Sequence, residues 1–324
     1  MKKEVFIGLT YGDPAGIGPE ILLQTLKSWK FKLKPLIIGF KEILFYGNKK
    51  LKKEEFNIDT YSLLSNKRSI FLSDICRVPS KFSGLHSYLC LKDAINLAKD
   101  KKIKALVTGP VSKQYINEAG IGFIGQTEEL ARGCEINSNK VIMLFIAEDL
   151  RIALFTRHIS LKKVSSKVKE KEFINFVLLL NNELKRWFHI KSPRIAVLGL
   201  NPHAGENGVI GNEEKKIIIP AIKILKSKGI NLSGPFSADA ALAIAGQSYL
   251  NNKKQNYDVY ISFYHDQALP MFKAIAGMDG VNVTLGLPFL RVSVDHGTAF
   301  DIAHKNKASN KSMLSAIKFL ELVL

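Results

Sequence analysis

The feature that most constrains this 324-residue chain is an alternation of short apolar, β-branched runs with longer amphipathic stretches. The runs lie at residues 5–9, 35–38, 69–72, 105–108, 141–146, 194–199 and 259–263. Between them, 19–29, 87–99, 164–187 and 213–228 have the length and period of helices that cover a sheet face. Strands buried on both faces read as continuous apolar runs and need helical crossovers, so the pattern predicts an α/β fold with largely parallel strands. The run 141–146 is followed by Ala147-Glu148-Asp149 and a second run at 151–155, which predicts a hairpin and therefore a mixed sheet. Pro19 suits the first turn of a helix, where its missing N–H costs nothing. The stretch 49–55 reads as a charged, exposed connection. The length favours two α/β lobes or one large one, and composition shows no boundary between them.

Composition excludes several classes of function. No apolar run reaches the roughly 18 residues of a spanning helix, so no membrane partner is expected. The N-terminal apolar stretch is interrupted by Glu4 and ended by Gly12-Asp13-Pro14, and reads as a first strand rather than a signal peptide. Cys76, Cys90 and Cys134 stand far apart with no CxxC, which argues against a disulfide framework or a thiolate metal site and fits a reducing cytoplasm. The formal charge of +18 would suit a polyanion. Yet 39 of the 47 basic residues are lysines, and they are scattered, as on a solvated surface. No nucleic-acid partner is expected, and a non-catalytic polyanion-binding protein is the rival from another class.

The chemistry-bearing residues concentrate in loops that follow predicted strands, where open α/β sheets place their ligands. Gly12-Asp13-Pro14-Ala15-Gly16-Ile17-Gly18-Pro19-Glu20 allows close backbone approach but is not GxGxxG, so a dinucleotide loop of the Rossmann type has no support there. Thr108-Gly109-Pro110-Val111-Ser112-Lys113 suits either an anion or a capped helix start. Gly125-Gln126-Thr127-Glu128-Glu129 sets polar side chains at a helix start. His158, His203 and His265 each close a strand, so three imidazoles can converge at one sheet edge and suit Zn²⁺ or Co²⁺ with positions left open for substrate. Structural hydrogen bonding is the alternative for each of them taken singly. His86 and His189 read as packing or surface residues. Lys273 and Arg291 are natural partners for a phosphate or carboxylate, with a structural salt bridge as the alternative.

The blocks GDPAGIGPE, VTGPVSK, GQTEELA, NPHAGENG, GPFSADAA, YHDQALPMFK and GVNVTLGLPFLRVSVDHGTAFDIA, spread over residues 12–303, resemble in order the signature blocks of the 4-phosphohydroxy-L-threonine dehydrogenase family of vitamin B6 biosynthesis. The resemblance implies a homodimer of two-lobed α/β/α subunits, related in fold to isocitrate and isopropylmalate dehydrogenases, with lobes expected at 1–125 with 268–324 and at 126–267, the second carrying dimer contacts, and the active site in a cleft near the dimer interface. It implies one divalent metal (Zn, Co or Mg) on His158, His203 and His265, and substrate contacts from Gln126, Thr127, Lys273, Asn282 and Arg291. The segment His296-Gly297-Thr298-Ala299-Phe300-Asp301 resembles the stretch that contacts the adenosine of NAD in the wider superfamily. It places NAD or NADP on His296, Gly297, Thr298 and Asp301. Asp239 and Asp266 lie in signature blocks and are candidates to orient ligands or relay a proton.

One departure stands out. Where the family usually reads Gly-His-Thr-Glu, this chain has Gly125-Gln126-Thr127-Glu128, and glutamine hydrogen-bonds but cannot become cationic. The expected reaction is metal-assisted oxidation of a small phosphorylated hydroxy amino acid. The rival of the same class is a sister dehydrogenase acting on a phosphorylated threonate or erythronate, or on a dihydrodiol carboxylate.

Overall fold

A computed structural model of the chain describes residues 4–46, 59–61 and 75–324. The predicted strand at 69–72 and the connection at 49–55 lie outside the described residues. The strands among those described are β1 (Phe6–Thr10), β2 (Lys34–Ile38), β3 (Asp59–Tyr61), β4 (Ala105–Thr108), β5 (Ile142–Ala147), β6 (Leu150–Leu154), β7 (Ile195–Leu198), β8 (Leu232–Phe236), β9 (Val259–Ser262), β10 (Val281–Leu285) and β11 (Leu290–Ser293).

The chain forms two compact units, residues 1–138 with 287–324, and residues 139–286. These bounds differ from those expected at two places, each for a physical reason. The helix Gln126–Gly133 stays with the first unit because it packs on the helix Lys81–Lys99, where Tyr88 donates to Glu129 (3.1 Å) and Lys99 Nζ to the Gly133 carbonyl (2.8 Å). Residues 268–286 stay with the second because β10 pairs antiparallel with β5.

In the first unit the strand order is β3-β2-β1-β4-β11, parallel throughout. Residues Ile7, Leu9, Ala105, Leu106, Val107, Leu290 and Val292 are essentially fully buried, as expected of strands covered on both faces. The register sets Thr10, Thr108 and Ser293 side by side at the carboxyl ends of three neighbouring strands. The loops beginning at Tyr11, Gly109 and Val294 therefore leave the sheet together.

In the second unit the order is β10-β5-β6-β9-β7-β8. The hairpin β5–β6 and the pair β10–β5 are antiparallel, and the remaining pairs are parallel. This is the mixed, mostly parallel α/β architecture that the sequence predicts.

Helices depart from expectation where local chemistry intervenes. The stretch 164–187 is two helices, Val164–Lys167 and Glu170–Phe188, separated by extended backbone at Val168 and Lys169. Glu170 and Glu172 favour a new N-terminus there, where the helix dipole stabilises carboxylates. The stretch 213–228 opens with a π-turn, Glu214–Ile218, before the α-helix Ile219–Ser227. Pro220 supplies no N–H for the α-helical bond, and the wider turn accommodates that loss. Among the described residues no helix is long and apolar enough to cross a membrane.

Candidate functional site

The second unit gathers its histidines at one sheet edge. Strands β6, β9, β7 and β8 are neighbours, and the residues just past their carboxyl ends include His158, His265, His203 and Asp239 respectively. Gln267 ties these strand ends together. Its Oε1 accepts from the Phe263 N–H (2.7 Å) and the Ser262 hydroxyl (3.0 Å), while its Nε2 donates to the Gly199 carbonyl (2.6 Å). No local signal in the sequence reveals this role of Gln267, because Gly199 is distant in the chain.

His158 and His265 are brought together, with ring centroids 5.7 Å apart and planes inclined by 46°. Two imidazoles on one tetrahedral ion at about 2.0–2.1 Å set their centroids roughly 5 Å apart, so this pair has the spacing of two metal ligands. His265 Nδ1 and Asp266 Oδ1 lie 2.6 Å apart. That contact leaves Nε2 as the outward nitrogen, the arrangement in which a carboxylate fixes a ligand imidazole.

His203 is exposed and sits in a run of left-handed backbone, His203 to Asn207, with φ between 42° and 78°. Apart from Gly205 these residues pay roughly 1–2 kcal/mol each for that conformation. The run is anchored from its base. Asn201 donates its backbone N–H to Glu214 Oε1 (2.8 Å) and its Nδ2 to Glu214 Oε2 (2.8 Å) and Glu213 Oε2 (2.9 Å). Asp239, fully exposed, accepts from the Ser237 hydroxyl at 2.5 Å, which with the Ala240 N–H and the charge of nearby His203 holds its carboxyl below the usual range. Among the described residues of this single chain no three His, Cys, Asp or Glu side chains are gathered as a metal-holding set, so the structure joins two of the three expected imidazoles. Lys273 is exposed near the end of the helix His265–Ala276, and Asn282, half-buried, stands on β10 opposite Phe145 of β5.

In the first unit Arg291 is the central feature. It lies on β11 with 3% exposure and donates to the Thr108 hydroxyl from Nε (3.0 Å) and Nη2 (2.7 Å), and to Gln126 Oε1 from Nη2 (3.2 Å). Gln126 in turn donates from Nε2 to the Gly109 carbonyl (3.1 Å). Burial pushes the guanidinium down to about 10, opposed by the Glu128 carboxylate, so it is cationic at neutral pH. Thr127, also buried, follows in the first turn of the helix Gln126–Gly133. Ser112 realises the plainer reading of its loop, accepting from the Tyr115 N–H (3.4 Å) as the N-cap of the helix Lys113–Glu118.

The loop after β1 and the segment from 296 to 301 meet. The Ile17 N–H donates to the Thr298 carbonyl (2.9 Å), and a Cβ on Gly16 would stand 2.8 Å from the same oxygen. His296 Nδ1 is 3.0 Å from the Gly297 carbonyl, while its Nε2 is buried with no hydrogen-bond partner among the described residues. A Cβ added at Gly297 would meet nothing within 4 Å. An unsatisfied ring nitrogen beside open backbone fits a bound polar ligand such as a dinucleotide.

The same unit holds a buried polar cluster around Tyr11 and His86. Tyr11 Oη is 2.7 Å from His86 Nε2 and accepts from the Phe40 N–H (3.1 Å), and Cys90 Sγ is 3.4 Å from the same imidazole nitrogen. Burial lowers His86 to about 4 and raises Cys90 to about 12, so both are neutral packing groups. Asp13, fully buried, accepts from the Ala15 N–H (3.0 Å) and is raised by burial to about 6.

Glycine-rich turns at parallel strand ends in one unit, and imidazoles at the strand ends of the other, define an α/β enzyme with its ligand-facing loops at the carboxyl edge. Comparison with known proteins then gives the family. The model of the family described as pyridoxal phosphate biosynthetic protein PdxA matches residues 32–320, and the chain belongs to that family. Curated 4-hydroxythreonine-4-phosphate dehydrogenases from Sulfurihydrogenibium sp. (strain YO3AOP1) and Aquifex aeolicus (strain VF5) are 40% and 39% identical to it, each comparison covering 97% of both chains. The crystal structure of the 4-hydroxythreonine-4-phosphate dehydrogenase from Klebsiella pneumoniae superposes with a TM-score of 0.84 at 30% identity, covering 99% of this chain and 98% of that one.

Proposed function

We propose that the chain oxidises the C3 hydroxyl of 4-phosphohydroxy-L-threonine with NAD or NADP, giving 2-amino-3-oxo-4-phosphooxybutanoate, which loses CO₂ to yield 3-amino-2-oxopropyl phosphate. The observation that carries the reading is the His158–His265 pair at ligand spacing, in a chain about 40% identical over its length to curated enzymes of that name. A divalent metal held by His158, His265 and His203 would supply Lewis-acid polarisation of the substrate hydroxyl. Asp266 orients the His265 ring so that Nε2 is its donor nitrogen. The third nitrogen, from His203, would come from the same or the second copy of the chain in a homodimer.

Arg291, held cationic, binds an anionic group of the substrate, with Lys273, Asn282 and Thr127 adding further contacts. His296, Gly297, Thr298 and Asp301, packed on the loop after β1, are the residues read as holding the dinucleotide. Asp239 is a poor proton acceptor because Ser237 and the Ala240 N–H stabilise its ionised form, so it serves to orient His203. Buried free thiols at Cys76 and Cys90 fit a reducing cytoplasm. A second reading, a sister dehydrogenase of another phosphorylated acid, is favoured by Gln126, which binds Arg291 where the family usually has histidine. Turnover of 4-phosphohydroxy-L-threonine set beside phosphorylated threonate and erythronate separates the two: preference for either sister acid by tenfold in kcat/KM overturns the first reading.

A further inference from the structure

We infer that Thr108 and Gln126 are positioning residues that act on the substrate through Arg291, the hydroxyl and the amide together fixing the plane in which the guanidinium presents its charge. The inference rests on the reading of Arg291 as the anion-binding residue. Three observations carry it. Thr108 has no exposed surface, so it cannot touch a ligand, yet its single oxygen accepts from both Nε and Nη2 of Arg291. Gln126 uses both ends of its amide within the protein, Oε1 toward Arg291 and Nε2 toward the Gly109 carbonyl, which fixes its orientation and reassigns it from substrate contact to support. Thr108 and Arg291 stand on the paired strands β4 and β11, and Gln126, at the start of a helix, is tied to Gly109, the residue directly after β4, so the central half of the clamp is built on paired sheet backbone. Donors and acceptors on a rigid element are held more closely to a productive geometry than those on loops.

The acceptors in this clamp are neutral, which suits a cation that must still attract an anion. A carboxylate in place of Thr108 or Gln126 would hold the guanidinium as firmly but would compete for its charge. Gln126 thereby does in this chain something a protonated histidine could not do, because an imidazolium offers Arg291 only donors and a like charge.

The test is a set of variants assayed for KM and kcat with 4-phosphohydroxy-L-threonine, each checked by its thermal melt. Thr108→Val keeps the shape and removes the acceptor; KM should rise about tenfold or more, the loss of hydrogen bonds to a charged group, with kcat reduced much less. Thr108→Ser restores the oxygen and should return KM to within about threefold of wild type. Gln126→Leu, at a half-buried position, should raise KM in the same sense. On an Arg291→Ala background, Thr108→Val should have no further effect, since a residue acting through Arg291 has nothing left to position. Equal impairment in Thr108→Ser and Thr108→Val, or full additivity with Arg291→Ala, overturns the inference while leaving Arg291 in its role. An Arg291→Ala protein with wild-type KM overturns that role and the inference with it.

Discussion

Replacing Glu214 with alanine should loosen the loop that carries His203, and the structure supplies the magnitude. Glu214 is 2% exposed and accepts two bonds from Asn201, each 2.8 Å long. Hydrogen bonds to a charged group are worth roughly 1.5–3 kcal/mol each. Asn201 Nδ2 keeps Glu213 as a second partner, so the lower end applies to that bond and the total loss is about 3–4.5 kcal/mol. At roughly 2–4 °C per kcal/mol for a unit of this size, the melting temperature should fall by about 6–18 °C. The strained residues beyond Asn201 have less to hold them once the anchor is gone, so zinc affinity should fall with stability. Glu214→Gln, which retains one acceptor, should lie between. Circular dichroism melts with and without zinc measure both effects. A Glu214→Ala protein melting within 1 °C of wild type would refute the anchoring argument.

Two further predictions concern the loop after β1. Gly12 has φ +79°, and a Cβ there would overlap the Pro110 carbonyl, so Gly12→Ala should cost at least about 2 kcal/mol and show as a lowered urea midpoint; an unchanged midpoint contradicts the packing described. Asp13 and His86 give opposing pH dependences. Asp13 is raised from 3.8 to about 6, so its contribution is fully present below pH 3.8 and is lost as pH rises through 6. His86 is lowered from 6.5 to about 4, so it is neutral in the fold and stability falls as pH drops from 6.5 through 4. Each amounts to about 3 kcal/mol at 1.36 kcal/mol per unit, and over pH 4–6 they largely cancel. Asp13→Asn removes one of them, so the unfolding free energy of that variant should drop by about 3 kcal/mol more than wild type between pH 6.5 and 4. Parallel curves for the two proteins would show that the burial of these groups is wrongly described.

The parts of the fold legible in the sequence were those whose signal is local. β4 was found at its full extent, and the hairpin β5–β6 was visible because the polar pair Glu148-Asp149 separates two apolar runs. β8 escaped because Gly234 and Pro235 interrupt it, and β10 because glycine-rich motif residues flank it. The helix Ala238–Leu250 is rich in alanine with little contrast between its faces, and Pro270 conceals the helix His265–Ala276.

The candidate site divides in the same way. That His158, His203 and His265 stand at strand ends was readable, since each follows an apolar run. That Gln126 would turn to Arg291, and Thr108 also, was not, because Thr108 on β4 and Arg291 on β11 are 183 residues apart and no local pattern records the pairing. His86, which reads as a packing or surface residue, is a packing residue, with Tyr11 and Cys90 as its buried neighbours.

The most direct test of the central claim is NADH formation from 4-phosphohydroxy-L-threonine by the purified chain, with chelator, with added Zn²⁺, Co²⁺ or Mg²⁺, and in the His158→Ala and His265→Ala variants. The account predicts reduction of NAD⁺ or NADP⁺ that chelator abolishes, metal restores in the wild type, and neither variant regains. Full activity in chelator, or wild-type rates in either variant, would contradict it.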